Sequence, residues 1–293
     1  MIVKAFEWRA LELKRQGRNS ECAIFVENKG LKYVQFKNLK KYDSVISHCF
    51  TTRIGGVSTG ECATLNLGFN RNDKKENVEE NYRRVCSALG IDYGSLVFSN
   101  QVHDNKIKIV DENDRGKGII IKSDIIGYDG LVTGRKGVTL VTFYADCVPL
   151  FFFDSEKRVI ALAHSGWRGT VKQIARETLK VMKESFGCDA ENIEVAIGPS
   201  IGRCCFEVGD EVRQEFADKL EWSEDYCTRA AGGKWYFDLQ GIILKTLMDS
   251  GVKKDKICVA DMCTKCHGDI FFSHRRDRGR TGSMAAIMQI KSI

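Results

Sequence analysis

The feature that most constrains this chain is the stretch over residues 137–170, GVTLVTFYADCVPLFFFDSEKRVIALAHSGWRGT. Three apolar runs, 138–144, 148–153 and 159–163, follow one another rich in β-branched and aromatic residues and with little polar alternation. Runs of this length and composition read as strands buried on both faces. Polar residues appear where the runs end. Asp146 and Cys147 occupy the break between the first two, and His164 follows the third. A carboxylate, a thiol and an imidazole at strand ends are placed where a rigid sheet delivers reactive side chains.

The chain has 293 residues, enough for one large domain or two modest ones, and its 43% hydrophobic and 29% charged residues are ordinary for a soluble globular protein. The net charge of +6 is spread along the sequence, which reads as solvated surface, the alternative being a role in attracting phosphate-bearing ligands. No stretch has the continuous apolar length of a membrane span, and the N-terminal MIVKAFEWRALELKRQG is charged throughout, without a signal-peptide core. Twelve cysteines without an export signal imply a cytoplasmic protein with reduced thiols. Cys22, Cys49, Cys62, Cys86, Cys188, Cys227 and Cys258 then read as small buried hydrophobes.

Val3, Phe6, Ala10 and Leu13 recur at helical spacing, so the N-terminus predicts a short amphipathic helix. Runs at 23–26 and 31–36 flank ENKG and read as a β-hairpin. A strand ending at Phe50 runs into a loop carrying Arg53, Gly55, Gly56, Ser58 and Gly60, with a second polar turn at Asn66 and Gly68. This is either a long surface loop or an anion cradle of backbone N–H groups and Arg53. Asp73 is positioned to cap a helix with Val78, Tyr82, Val85 and Leu89 on its buried face and Gly90 at its end.

His103 lies beside a predicted strand. After His164, SGWRGT leads into a helix starting at Val171 with Ile174, Ala175, Thr178, Leu179 and Met182 on one face. Gly166, Arg168 and Gly169 at its start make a second anion-site reading, although neither the P-loop nor the GxGxxG pattern is present. The adjacent Cys204 and Cys205 read as packing. An Asp238 cap opens a helix through Ile242, Ile243 and Leu247. Cys263, Cys266 and His267 match CxxCH, but haem attachment requires export, and as a zinc knuckle the motif lacks a second CxxC or HxxxH partner. No repeat or linker divides the chain, so it reads as one domain.

His103, Cys147 and His164 each sit at a strand boundary, and two imidazoles with a thiolate suit zinc in an open three-ligand arrangement. Such a metal activates water at neutral pH, with Asp146 as orienting or acid/base group. Because strand neighbours face opposite ways, Asp146 and Cys147 share a site only across an irregular backbone. The rival reading makes Cys147 a nucleophile and His164 its base, a metal-free cysteine hydrolase.

The segments FTTRIGGVS with LNLG, NQVH, DGLVT, ADCVPL, AHSGWRG, IGPSIGRCCFEVG, and CTKC with FFSHRRDRGRTG resemble, in order, the motifs of the YfiH-like, or laccase-domain, family. The match runs from about residue 30 to the end. It implies an α/β (mixed α+β) fold, a single-domain four-layer sandwich with mixed β-sheets grouped with cysteine hydrolase toxins, over 26–293 behind an N-terminal extension at 1–25. It implies a metal site of His103, Cys147 and His164 and a Zn2+-dependent enzyme of purine nucleosides. The activities implied are phosphorolysis of adenosine, inosine, guanosine or methylthioadenosine and hydrolytic deamination of adenosine. Catalysis would fall to Asp146, Cys147 and His164. Phosphate and substrate contacts would come from Arg53, Gly55, Gly56, Asn66, Gly166, Arg168 and Gly169. Asp104, His274 and Ser283 depart from the family's usual glycine, tyrosine and arginine. The expected partners are purine nucleosides and phosphate, with no nucleic acid and no membrane.

An older label in the family is multicopper polyphenol oxidase. The chain has only five histidines, His48, His103, His164, His267 and His274, too few for a blue site plus a histidine-rich copper cluster. A single Cu2+ in the three-ligand site remains the alternative, as does a non-enzymatic role as a metal-stabilised binding partner.

Overall fold

The structure is a computed structural model that describes residues 22–292; the N-terminal helix expected around Val3–Leu13 lies outside the described residues. The strands in chain order are β1 (Ala23–Asn28), β2 (Leu31–Phe36), β3 (Ile46–Thr51), β4 (Leu96–Phe98) and β5 (Ile107–Ile109). Then come β6 (Gly130–Thr133), β7 (Thr139–Tyr144), β8 (Val148–Asp154), β9 (Val159–Ser165) and β10 (Ile193–Ile197). The last are β11 (Glu207–Val208), β12 (Cys227–Arg229), β13 (Trp235–Phe237), β14 (Ile257–Val259) and β15 (Met284–Ile290). The α-helices are α1 (Lys37–Lys40), α2 (Lys75–Leu89), α3 (Trp167–Val171), α4 (Ile174–Phe186), α5 (Asp210–Lys219) and α6 (Leu239–Asp249).

Two mixed six-stranded sheets, ordered β1-β2-β3-β15-β7-β4 and β14-β10-β8-β9-β6-β5, stack face to face. The apolar runs alternate between two cores. In β8, Val148, Leu150 and Phe152 face the helices α4 and α6, while Phe151 and Phe153 face the other sheet. In β9, Val159, Ala161 and Ala163 join the helical side, and Ile160 and Leu162 the inter-sheet side. On the first sheet, Val141 and Ile287 pack under α2. The order is therefore helix, sheet, sheet, helix, the mixed α/β four-layer sandwich expected, and burial on both faces is why the strands read as continuous apolar runs. Truncating a side chain such as Phe151 to alanine would cost about 3–5 kcal/mol, because both sheets wall the cavity it leaves.

The hairpin forms with Ala23 opposite Phe36, and α2 buries Val78, Tyr82 and Val85 and ends at Gly90 in the left-handed region. Its start differs from the expectation. Lys74, not Asp73, is the N-cap residue, because the Asp73 carboxylate is taken up by Asn66, Asn77 and the Lys74 N–H. The helix expected from Val171 also differs. It is two helices, α3 and α4, broken at Gln173, whose φ is 56°. Asp238 caps α6 as expected, accepting from the Gly241 N–H.

His48 on β3 is fully buried between Phe36 and Phe151, and its Nε2 accepts the Phe36 N–H at 3.0 Å. Burial, helped by the Lys40 charge, pushes its pKa down to about 3. Below pH 6.5 the unfolded chain takes up a proton that the folded one refuses, so stability falls with pH by up to about 1.4 kcal/mol per unit. His48→Gln keeps an acceptor but cannot titrate. Urea unfolding at pH 7 and pH 5.5 should show the wild type losing about 1 kcal/mol more than the variant over this interval; equal losses would contradict the account.

Candidate metal centre and cavity

The loop before β5 and the ends of β7, β8 and β9 converge at one end of the sandwich. Asp146 adopts φ 89° between β7 and β8, and this irregular backbone lets Asp146 and Cys147 face the same cavity, as the sequence required. His164 near the end of β9 and His103, itself at φ 61°, complete the group. The ligand atoms of His103, Cys147 and His164 lie within 4.8 Å of one another. His103 Nε2 is 3.8 Å from Cys147 Sγ, and the two imidazole rings stand edge to face at 4.9 Å. Gly166 makes this approach possible, since a Cβ there would lie 2.8 Å from His103 Cδ2 and 3.2 Å from Cys147 Sγ.

Asp129, fully buried, organises the centre, and the sequence reading missed it. Its Oδ1 accepts the His103 N–H and contacts His164 Nδ1 at 2.8 Å, while Oδ2 accepts the Val102 and Asp104 N–H groups. It therefore sets the left-handed loop that presents His103 and leaves His164 Nε2 directed away from the carboxylate. Burial raises the Asp129 carboxyl pKa, but the His164 bond and charge and the backbone N–H groups outweigh it and hold the group below its ordinary value. For the Cys147 thiol, burial likewise acts upward, while His164 and His103 pull its pKa down to about 6. Burial acts against the His164 charge, yet Cys147 and Asp129 hold its pKa up to about 9.

These donors fit a metal. Zinc bonds of about 2.3 Å to sulfur and 2.0–2.1 Å to nitrogen at a tetrahedral angle span about 3.6 Å from sulfur to nitrogen, close to the separation of Cys147 and His103. The lowered thiol pKa favours the thiolate that a metal binds, and an imidazole held through Nδ1 by a carboxylate is the usual support for a metal-binding histidine.

The cavity has a volume of about 660 Å³. Its apolar walls include Phe69, Phe98, Phe143 and Trp167, and its polar lining includes Asn100, Arg71, His274 and Arg275. Arg71 donates through Nε to Ser283 Oγ at 2.8 Å. Burial lowers its pKa against the pull of the Cys62 and Cys147 charges.

The structure distributes the other expected contacts differently. Arg53 is half-buried outside the cavity lining, donating to the Ala63 and Gly268 carbonyls and lying over the Phe272 ring. The Gly55 and Gly56 N–H groups both point at Thr64 Oγ1, and a Cβ on Gly55 would run into Gly30 and Leu31. Asn66 is buried, accepting from the Gly68 and Ser283 N–H groups. These four residues build the neighbouring loops. Gly166 lines the cavity, whereas exposed Arg168 lies over the Trp167 ring and Gly169 is buried in α3. Asp146 lines it too, with Oδ1 accepting from Thr264 Oγ1 at 2.6 Å and Oδ2 from the Arg275 N–H at 2.7 Å.

Residues 47–291 match the family model described as multi-copper polyphenol oxidoreductase laccase. The chain belongs to this family. A relative from Bacillus subtilis strain 168, named purine nucleoside phosphorylase YlmD, is 39% identical over 244 residues, 83% of this chain and 87% of the relative. The crystal structure of the Bacillus licheniformis hypothetical protein YfiH superposes with a TM-score of 0.85 at 30% identity, covering 91% of this chain and 99% of that one. That of YlmD from Geobacillus stearothermophilus gives 0.84 at 33% identity, covering 92% and 100%. Of the five histidines of the present chain, His48 lies between the sheets, and only His103 and His164 join a metal-ligand group among the described residues. Among the described residues no helix is long and apolar enough to cross a membrane.

Proposed function

We propose that the chain is a Zn2+-dependent purine nucleoside phosphorylase that also deaminates adenosine, acting in a reducing cytoplasm where its thiols stay reduced. The observation that carries this reading is the convergence of His103, Cys147 and His164 in a cavity large enough for a nucleoside together with phosphate. The purine nucleoside phosphorylase name of the Bacillus subtilis relative supports the same reading. His103, Cys147 and His164 would hold the metal, which when bound supplies Lewis acidity and a means of activating water at neutral pH.

The chain's own groups do the rest. Phe69, Phe98 and Phe143 offer aromatic faces to a purine, and Arg71 offers a charged fork to a phosphate. In phosphorolysis a phosphate oxygen bonds to C1′ as the C1′–N9 bond breaks, and the base leaves with the bonding pair and takes up a proton. In deamination water adds at C6 and ammonia leaves. Asp146 anchors Thr264 and the Arg275 backbone at the cavity edge, so it holds that wall in place as well as facing the substrate space.

Arg71→Met should raise the KM for phosphate at least about tenfold in phosphorolysis while leaving the KM for adenosine in deamination within about twofold, since a lost charged hydrogen bond is worth about 1.5–3 kcal/mol. Equal effects on both would assign Arg71 a structural role. The Arg53, Gly55, Gly56 and Asn66 loops serve the site by packing on this reading, so Arg53→Ala should lower Tm and leave the phosphate KM within about tenfold.

A further inference from the structure

A second cluster lies outside this centre. Cys204 and Cys205, in the loop after β10, meet Cys263 and Cys266, in the loop after β14, with all four sulfur atoms within 4.8 Å of one another. The CTKC turn, expected to lack a second ligand pair, finds one in space in the adjacent Cys204 and Cys205, which the sequence reads as packing. We propose that these four cysteines form a structural zinc site that clasps the two loops together.

The geometry carries this assignment. Cys266 Sγ lies 3.7 Å from Cys204 Sγ and 3.5 Å from Cys205 Sγ. Four sulfurs bound at about 2.3 Å around a tetrahedral ion stand about 3.8 Å apart, so these two edges match a zinc tetrathiolate and the other four lie within 4.8 Å. A disulfide would need two of these sulfurs to close to about 2.05 Å and would leave the other pair without a role. The Gly202 N–H donates to Cys263 Sγ at 3.3 Å, the kind of backbone bond that supports a ligating thiolate. Soft thiolate ligands in a closed set of four select zinc for structure and leave no position for substrate.

The clasp has a mechanical consequence. The two loops already pair through Ser200 and Cys263, with the Thr264 N–H donating to the Ser200 carbonyl. The first loop carries Ile201 and Phe206 into the cavity wall, and the second carries Thr264 to the Asp146 carboxylate. Fixing one against the other fixes one side of the substrate cavity.

The test separates this site from the cavity centre. His103→Ala/Cys147→Ala, purified without chelator, should retain one zinc per chain by elemental analysis. Exchanged with cobalt, it should give the intense visible bands and sulfur-to-metal charge transfer of a tetrahedral tetrathiolate. Adding Cys204→Ser/Cys266→Ser should remove both signals. The cavity-ligand variant decides the matter alone if the fourfold variant does not fold. Metal-free protein whose mass falls by two hydrogens on oxidation, iron in place of zinc, or a cobalt spectrum lacking sulfur charge transfer would overturn the proposal. None of these readouts depends on nucleoside turnover, so failure here is distinct from failure of the proposed activity.

Discussion

Asp129→Asn is expected to weaken metal binding by about 10–100-fold and to lower kcat/KM by at least as much, with little change in overall fold. The wild-type carboxylate accepts from three backbone N–H groups and the His164 ring. An asparagine amide offers one acceptor oxygen where two are used, and its NH2 group meets N–H donors. If that NH2 turns toward His164, it favours the tautomer with the proton on Nε2, the nitrogen needed for the metal. If it turns toward Val102 and Asp104, the loop that presents His103 at positive φ loses its anchor. Chelator competition for zinc, alongside the steady-state constants, checks the result. Unchanged metal affinity with reduced kcat would move Asp129 from positioning the ligands to the reaction itself.

Cys147→Ala should remove the cavity metal and reduce turnover by about a thousandfold or more, since both the Lewis acid and its activated water go with it. The effect should match that of stripping the wild type with chelator, and zinc added back should rescue the stripped wild type and not the variant. This separates the metal reading from a cysteine hydrolase. The lowered thiol and raised imidazole pKa values suit either a ligating thiolate or a nucleophile paired with its base. A hydrolase, however, would lose activity in Cys147→Ala and keep it through chelation. Activity that survives zinc removal would therefore favour the nucleophile.

The layered fold was legible because burial on both faces removes polar alternation from β7, β8 and β9, and this is a property of sequence alone. His103, Cys147 and His164 were legible because reactive residue types stood at the ends of those runs. Asp129 was not. It sits at the start of DGLV, but its role arises from the pairing of β6 with β9, which sets it beside His164, and from a loop whose N–H groups turn inward. Arg53 and the Gly55–Gly56 turn have the composition of an anion cradle. Only tertiary packing against Thr64, Gly268 and Phe272 turns their donors to the backbone and to Thr64. Arg71, which does line the cavity, carried no local pattern. The vicinal cysteines and the CTKC turn are each unremarkable in sequence, and acquire meaning only because strands β10 and β14 run parallel and deliver the two loops side by side.

The most direct test of the central claim is to incubate zinc-replete protein with adenosine, with and without phosphate, and identify the products. Adenine and ribose 1-phosphate should appear only with phosphate, inosine should appear in both, and the His103→Ala variant should form neither. No turnover of adenosine, inosine, guanosine or methylthioadenosine by the zinc-loaded protein, with phenol oxidation by the same protein loaded with copper, would contradict it.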